Sequence, residues 1–284
     1  MRYDLEPVVT AGAELGEGPV WHAAEGVLLW LDILGRQVHR FDPATGQDTA
    51  RTYPEPITAL APGQDGRLLA AVADRVAPLD SLDQPLVHLP TGDRGNDGAC
   101  DPYGRFLIGT YSARHEPGGC ALYRVDGPGA LATVVDQVTL SNGLDFNPAG
   151  DLMYFVDTPT RRVDVFDYHP DGTATGRRTF ADLSDAPGRP DGLTVDAEGG
   201  VWVALVRGGQ LRRYDQTGWL DEVIDVPANR VTSCGFGGPD LDELYLTTGW
   251  FGMTPDEREP LAGALFRLRP GVAGKPPHLW RPPI

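Results

Sequence analysis

Arg189-Pro190-Asp191-Gly192-Leu193-Thr194-Val195-Asp196-Ala197-Glu198-Gly199-Gly200-Val201-Trp202-Val203-Ala204 sets an acidic residue at the mouth of a short alternating apolar run. A Gly-Gly turn and a second apolar run follow. The stretch reads as two antiparallel strands with a carboxylate where the first begins. Asp before Gly is common turn chemistry, and taken alone Asp191 is a turn residue. The same layout recurs along the chain, however, with other oxygen-bearing residues at the equivalent place.

Working outward from Asp191, first strands are expected at Glu17, Thr58, Asn96, Asn142, Asp191 and Ser233, separated by 41, 38, 46, 49 and 42 residues. This is the blade length of a β-propeller. Second strands follow in the same register, among them Val27-Leu28-Leu29-Trp30-Leu31, Phe106-Leu107-Ile108-Gly109-Thr110 and Leu244-Tyr245-Leu246-Thr247-Thr248. Third strands such as Arg162-Val163-Asp164-Val165-Phe166 end in Asp/Pro/Gly turns. No amphipathic helix emerges, and Pro255 to Leu261 allows at most one helical turn. The expectation is all-β: one six-bladed β-propeller domain of four-stranded antiparallel blades over residues 1–284. A segment near Leu5 to Thr10 would complete the last blade and protect its edge. The second blade matches least, because no Gly precedes its third strand after Ala73.

Composition agrees. The 284 residues include 36 Gly and 26 Pro, as many short strands joined by turns require. The net charge of −16 repels phosphates and anionic lipid, so neither nucleic acid nor membrane is an expected partner. No run is long enough to cross a membrane and the N-terminus lacks an apolar signal region, so a cytoplasmic protein is expected. Cys100, Cys120 and Cys234 form no CxxC pair and read as small, buried or half-buried thiols.

In a propeller the first strands line a central channel. Glu17, Asn96, Asn142 and Asp191 should therefore converge there. Two carboxylates and two amide oxygens form a hard-oxygen set, suited to Ca²⁺, Mg²⁺ or Mn²⁺ and open to Zn²⁺ or Fe²⁺. Two carboxylates at a low-dielectric axis repel each other unless a cation or proton neutralises them, which is the physical reason to expect one divalent metal ion.

The sequence resembles the SMP-30/gluconolactonase family, which contains regucalcin and sugar lactonases. The resemblance rests on Leu15-Gly16-Glu17-Gly18-Pro19-Val20-Trp21, Arg94-Gly95-Asn96-Asp97-Gly98, Ser141-Asn142-Gly143-Leu144, Pro190-Asp191-Gly192-Leu193 and Cys234-Gly235-Phe236-Gly237-Gly238-Pro239-Asp240-Leu241. It implies a six-bladed propeller with one catalytic divalent metal held by Glu17, Asn142 and Asp191. It implies that Arg94 and Asn96 meet substrate hydroxyls or water, with Asp97 beside them. It also implies a substrate-contacting segment at Gly109 to Glu116, in which Arg114 stands where many relatives carry an acidic residue.

The expected activity is that of a metal-dependent lactonase opening an aldonolactone to the aldonic acid. The metal would act as a Lewis acid, Arg94 and Asn96 would hold the sugar, and Asp191 is the candidate general base. A carboxylate on a cation is a weak base, so Asp191 would chiefly orient the water. The alternatives are an organophosphatase on the same scaffold, a calcium- or metabolite-binding propeller without turnover, and a protein-interaction propeller, which needs no metal. A monomer or weak homo-oligomer is expected.

The six histidines show no HxxxH or HExxH spacing. His22 should pack or hydrogen-bond behind Trp21, and His115 should lie on the rim. Trp250 and Phe251 are placed either to stack on a ring substrate or to pack the rim.

Overall fold

The computed structural model describes residues 4–90, 93–112, 114 and 116–281. The chain is all-β and propeller-like, and among the described residues the only helical elements are 3₁₀ turns at Thr158–Thr160 and Pro255–Glu257. Four sheets have four antiparallel strands each, beginning at Gly16–His22, Ile57–Pro62, Asp93–Cys100 and Ser141–Phe146. An eight-stranded sheet holds the remainder. In it, the run from Arg189–Val195 to Leu220–Asp225 meets the run from Arg230–Gly237 to Leu265–Leu268 at one residue pair, Val206 with Arg230. The N-terminal strand Glu6–Val9 pairs with Leu265–Leu268 and completes that second run. Among the described residues no helix is long and apolar enough to cross a membrane.

The second strands are buried along all or nearly all of their length, wholly so in Val27–Asp32 and Glu243–Gly249. Both faces of each sheet are covered by neighbouring sheets, so these strands read as continuous apolar runs rather than alternating ones. Phe106, Phe146, Phe155, Trp202 and Phe266 are among the largest fully buried side chains between the sheets. The first strands are innermost. Gly16–His22 lies beside Ile57–Pro62, which lies beside Asp93–Cys100, and so on through Ser141–Phe146, Arg189–Val195 and Arg230–Gly237, which returns to Gly16–His22. The second sheet is the thinnest, with an outer strand of two residues, Val87–His88. Its turn uses Ala73 at φ 48°, a left-handed backbone that Arg36 and Arg161 adopt in the corresponding turns of the first and fourth sheets.

Each inner strand carries a register shift near its start. The shifts fall between Glu17 and Val20, Ile57 and Ala59, Gly95 and Gly98, Ser141 and Leu144, Pro190 and Leu193, and Val231 and Ser233. A bulge re-aims the side chains inside it. Here the residues inside the shifts include Thr58, Asn96, Asp97, Asn142, Asp191 and Thr232. The sixth position is thus Thr232 rather than Ser233: the shift is complete by Ser233, and the Thr232 hydroxyl bonds to Gly16 O at 2.6 Å.

Candidate metal and substrate site

Asp191-Gly192 is not a turn. It lies within the strand Arg189–Val195, and a Cβ on Gly192 would stand 2.2 Å from Ser233 Oγ. Gly143 is crowded in the same way, with its added Cβ 2.4 Å from Leu193 N. Glycine follows Asn142 and Asp191 because neighbouring inner strands approach too closely there for any side chain. The same approach brings Asn142 and Asp191 near the axis, where they are 6% and 7% exposed.

A single directional hydrogen-bond chain crosses three sheets. Arg94 Nη1 donates to Asn96 Oδ1 at 3.2 Å and to Gly95 O at 2.9 Å. Asn96 Nδ2 donates to Asn142 Oδ1 at 2.7 Å and to Ser141 O at 2.8 Å. Asn142 Nδ2 donates to Thr158 Oγ1 at 2.7 Å, and Thr158 Oγ1 donates to Pro190 O at 2.9 Å. Arginine only donates and a carbonyl only accepts, so both ends fix the polarity and every amide between them has one orientation. The guanidinium of Arg94 also lies over the Tyr111 ring, 4.7 Å from its centroid.

Three carboxylates gather beside this chain. Burial pushes the Glu17 carboxyl well above its ordinary range, and the charges of Asp191 and then Asp97 push it further. The Gly18 amide, at 3.1 Å, and Arg94 oppose this. Asp191 is raised by burial and then by Asp97. Burial lifts Asp97 to about 6 against the Gly98 N–H it accepts, with Asp145 adding repulsion. Among the described residues none of the three is ion-paired. A buried carboxylate without a counter-charge is costly, so the set invites a proton or a cation.

Glu17, Asp191 and Asn142 Oδ1 are the residues here that could hold a divalent metal. They are hard oxygen donors, and the amide of Asn142 already has its nitrogen committed to Thr158. Among the described residues no group of three His, Cys, Asp or Glu side chains stands in metal-holding geometry; the candidate set is two carboxylates and an amide.

The match to known proteins is broad. The model of the SMP-30/gluconolactonase/LRE-like region covers residues 15–250. The chain belongs to this family. It is 38% identical to the pentonolactonase XacC of Haloferax volcanii, over 95% of each chain. It is 35% identical to regucalcin of Xenopus laevis, over 96% of this chain and 97% of the other. Among solved structures, a calcium-binding regucalcin from Agrobacterium tumefaciens superposes with a TM-score of 0.91 at 29% identity, over 99% of this chain and 98% of that one.

Within this SMP-30/gluconolactonase scaffold, Arg94, Asn96 and Asn142 are joined directly, and Glu17, Asp97 and Asp191 feel one another's charge. Arg114 is not joined to them. It is exposed, and its backbone N–H reaches Ser112 Oγ at 3.4 Å. His115 lies outside the described residues. His22 is buried, with neither ring nitrogen hydrogen-bonded and its Nε2 3.9 Å from Glu25 Oε1. Trp250 and Phe251 serve the rim: Trp250 Nε1 donates to Gly12 O at 3.0 Å under Arg258, and Phe251 sits under Arg230. Cys100, Cys120 and Cys234 are buried.

Asp97 faces a different space from the neighbouring Asn96. It helps line a cavity of about 130 Å³ whose wall takes residues from all six inner strands. The C-terminal segment adds Lys275, Pro277 and His278 to its wall. That segment is tied at one side by Gly274 N to Leu241 O (2.8 Å) and across the channel by Trp280 N to Pro62 O (2.9 Å). Lys275 Nζ reaches Asp145 Oδ1 at 2.6 Å. Sequence reading did not single out Asp145, Lys275 or Thr158, and it placed Tyr111 only within the expected substrate-contacting segment Gly109 to Glu116. Asp145 had a signal, three residues after Asn142 in the same strand, but its lysine lies 130 residues away.

Proposed function

We propose that this SMP-30/gluconolactonase family member is a divalent-cation-dependent lactonase that opens a sugar lactone to the corresponding aldonic acid, and that its inner strands belong to one six-bladed propeller. On this reading the eight-stranded sheet is two blades joined at Val206 and Arg230. Glu17, Asn142 and Asp191 are the proposed ligands. The observation that carries the reading is the pair of carboxylates, Asp191 buried and Glu17 half-buried, beside an amide oxygen aimed by a fixed hydrogen-bond chain. Relatives named pentonolactonase and regucalcin support it.

When bound, a divalent cation supplies Lewis acidity toward the lactone carbonyl. The chain's own groups do the remainder. Arg94 keeps donors beyond those given to Gly95 and Asn96, and its fork suits the oxygens of a polyhydroxy ring. Its stacking on Tyr111 pre-orients that fork, so less freedom is lost when substrate arrives. Hydrolysis adds the oxygen of water to the carbonyl carbon and breaks the ring C–O bond. One water proton ends on the freed ring oxygen, and the other leaves as the new acid ionises. Asp191, as a cation ligand a weak base, chiefly orients the attacking water.

A second reading, cation binding without turnover, is favoured by the solved relative described as a calcium-binding protein. A pH-indicator screen of five- and six-membered sugar lactones separates the two. The protein is first stripped with chelator and then given Ca²⁺, Zn²⁺, Mn²⁺, Mg²⁺ or Fe²⁺. Turnover that is lost on chelation and restored by one of these ions is expected. Tight cation binding with no lactone hydrolysed would leave the second reading.

A further inference from the structure

We infer that Thr158 is a positioning residue that sets the amide of Asn142, holding its nitrogen away from the channel and its oxygen toward it. This rests on the cation site proposed above for its consequence, though not for its geometry. Thr158 belongs to neither the inner strands nor the recurring motifs. It stands just after the second strand of its sheet, Leu152–Asp157, at the start of the 3₁₀ turn Thr158–Thr160.

The hydroxyl of Thr158 has one proton. Its neighbour Pro190 O can only accept, so that proton goes there, at 2.9 Å. Toward Asn142, at 2.7 Å, Thr158 is then left only with acceptor lone pairs. Asn142 must therefore present Nδ2 to it. A flipped amide would set two oxygens against each other on this side. On the other side it would set its NH₂ against that of Asn96, which is itself pinned by donation to Ser141 O at 2.8 Å. Thr158 thus transmits the acceptor-only character of a backbone carbonyl in one sheet to an amide in the next. Because that carbonyl belongs to the residue before Asp191, the same hydroxyl also ties the two proposed ligands' strands together.

The Thr158 backbone does not depend on its side chain. Its N–H donates to Leu140 O at 3.2 Å, and the preceding Asp157 carboxylate accepts from the Thr139 and Leu140 N–H groups at 3.2 and 2.9 Å. Removing the hydroxyl should therefore release the amide without moving the turn. Groups that orient a ligand from behind typically govern metal affinity by about 10–100-fold.

The test compares Thr158→Val, which keeps the shape and loses the hydroxyl, with Thr158→Ser, which keeps the hydroxyl. Two readouts are used. The first needs no metal: hydrogen exchange and chemical shift of the Asn142 side-chain NH₂ in ¹⁵N spectra. The second is Mn²⁺ affinity by calorimetry. We expect T158V to lose protection of that NH₂ and to bind Mn²⁺ about 10–100-fold more weakly, with T158S close to the parent in both. An unchanged Asn142 NH₂ in T158V overturns the positioning role, whatever Mn²⁺ does. Altered exchange in a protein whose parent binds no divalent cation upholds the positioning role and overturns the proposed cation site instead. If T158V does not fold, T158A carries the same two readouts.

Discussion

Asn96 and Asn142, 46 residues apart, face each other from adjacent sheets with Asn96 Nδ2 2.7 Å from Asn142 Oδ1. An amide oxygen has two lone pairs, so accepting from Asn96 leaves Asn142 Oδ1 a free pair for a cation. Asn96 at once steadies the proposed ligand and holds Arg94 through its own oxygen. Asn96→Ala should weaken Mn²⁺ binding about tenfold and lower kcat/KM as well. Calorimetry beside steady-state kinetics checks this; unchanged affinity would leave Asn96 with substrate alone.

Asp191→Ala should abolish or greatly weaken cation binding. It also removes the strongest like charge acting on Glu17. The cation-free variant should therefore melt no lower than the cation-free parent near pH 7.5, although a buried side chain has been truncated. Metal analysis and thermal unfolding in chelator test the two halves separately. Parent-like metal content in the variant would remove Asp191 from the ligand set.

Arg94→Ala should keep its cation and its fold while kcat/KM on the best lactone falls on the order of 10²-fold. Arg94→Lys should recover little, because the ammonium lacks the planar fork that stacks on Tyr111 and reaches several oxygens. Near-normal turnover in either variant would take Arg94 out of substrate binding.

Asp97 sets a pH dependence. Its folded-state value is about 6 against 3.8 for the free group, so the fold disfavours its ionised form. That cost is absent where Asp97 is protonated in both states, below about pH 4, and complete above about pH 6. Two units correspond to roughly 3 kcal/mol. Cation-free Asp97→Asn should be more stable than the parent by up to about 3 kcal/mol at pH 7.5, and the gap should close as pH falls toward 4. Urea unfolding of both proteins from pH 4 to 8 measures it. A gap that widens at low pH would reverse the assignment.

Lys275 is the counter-charge to Asp145 in the cavity wall. Both it and Asp145 are largely buried, and Asp145 also accepts from Val195 N at 2.8 Å. Lys275→Met should cost about 3–5 kcal/mol, the usual penalty for leaving one buried charge unpaired. Adding Asp145→Asn should restore much of the loss. Equal stability of the single and double variants would show that the pair is solvated rather than structural.

The repeat, the all-β class and the apolar second strands were legible in the sequence because they depend on local periodicity. Strands buried on both faces are mostly apolar, and turns between them are rich in Gly, Pro and Asp. Glu17, Asn96, Asn142 and Asp191 could be selected for a related reason: each occupies the same phase of its repeat, and phase survives without coordinates. Tertiary structure alone decided that Asp191-Gly192 and Asn142-Gly143 are bulged strand segments pressed against neighbours, since a turn and a crowded bulge can share one dipeptide. It also placed Thr232 rather than Ser233 inside the sixth shift, because a bulge shifts register by a residue and phase cannot resolve that. The partners of these residues were out of reach for a different reason. Thr158 meets Asn142 and Pro190, and Lys275 meets Asp145, across sheets or from a terminal segment outside the repeat. Hydrogen-bond polarity and charge pairing at such contacts depend on distance in space, on which periodicity along the chain carries no information.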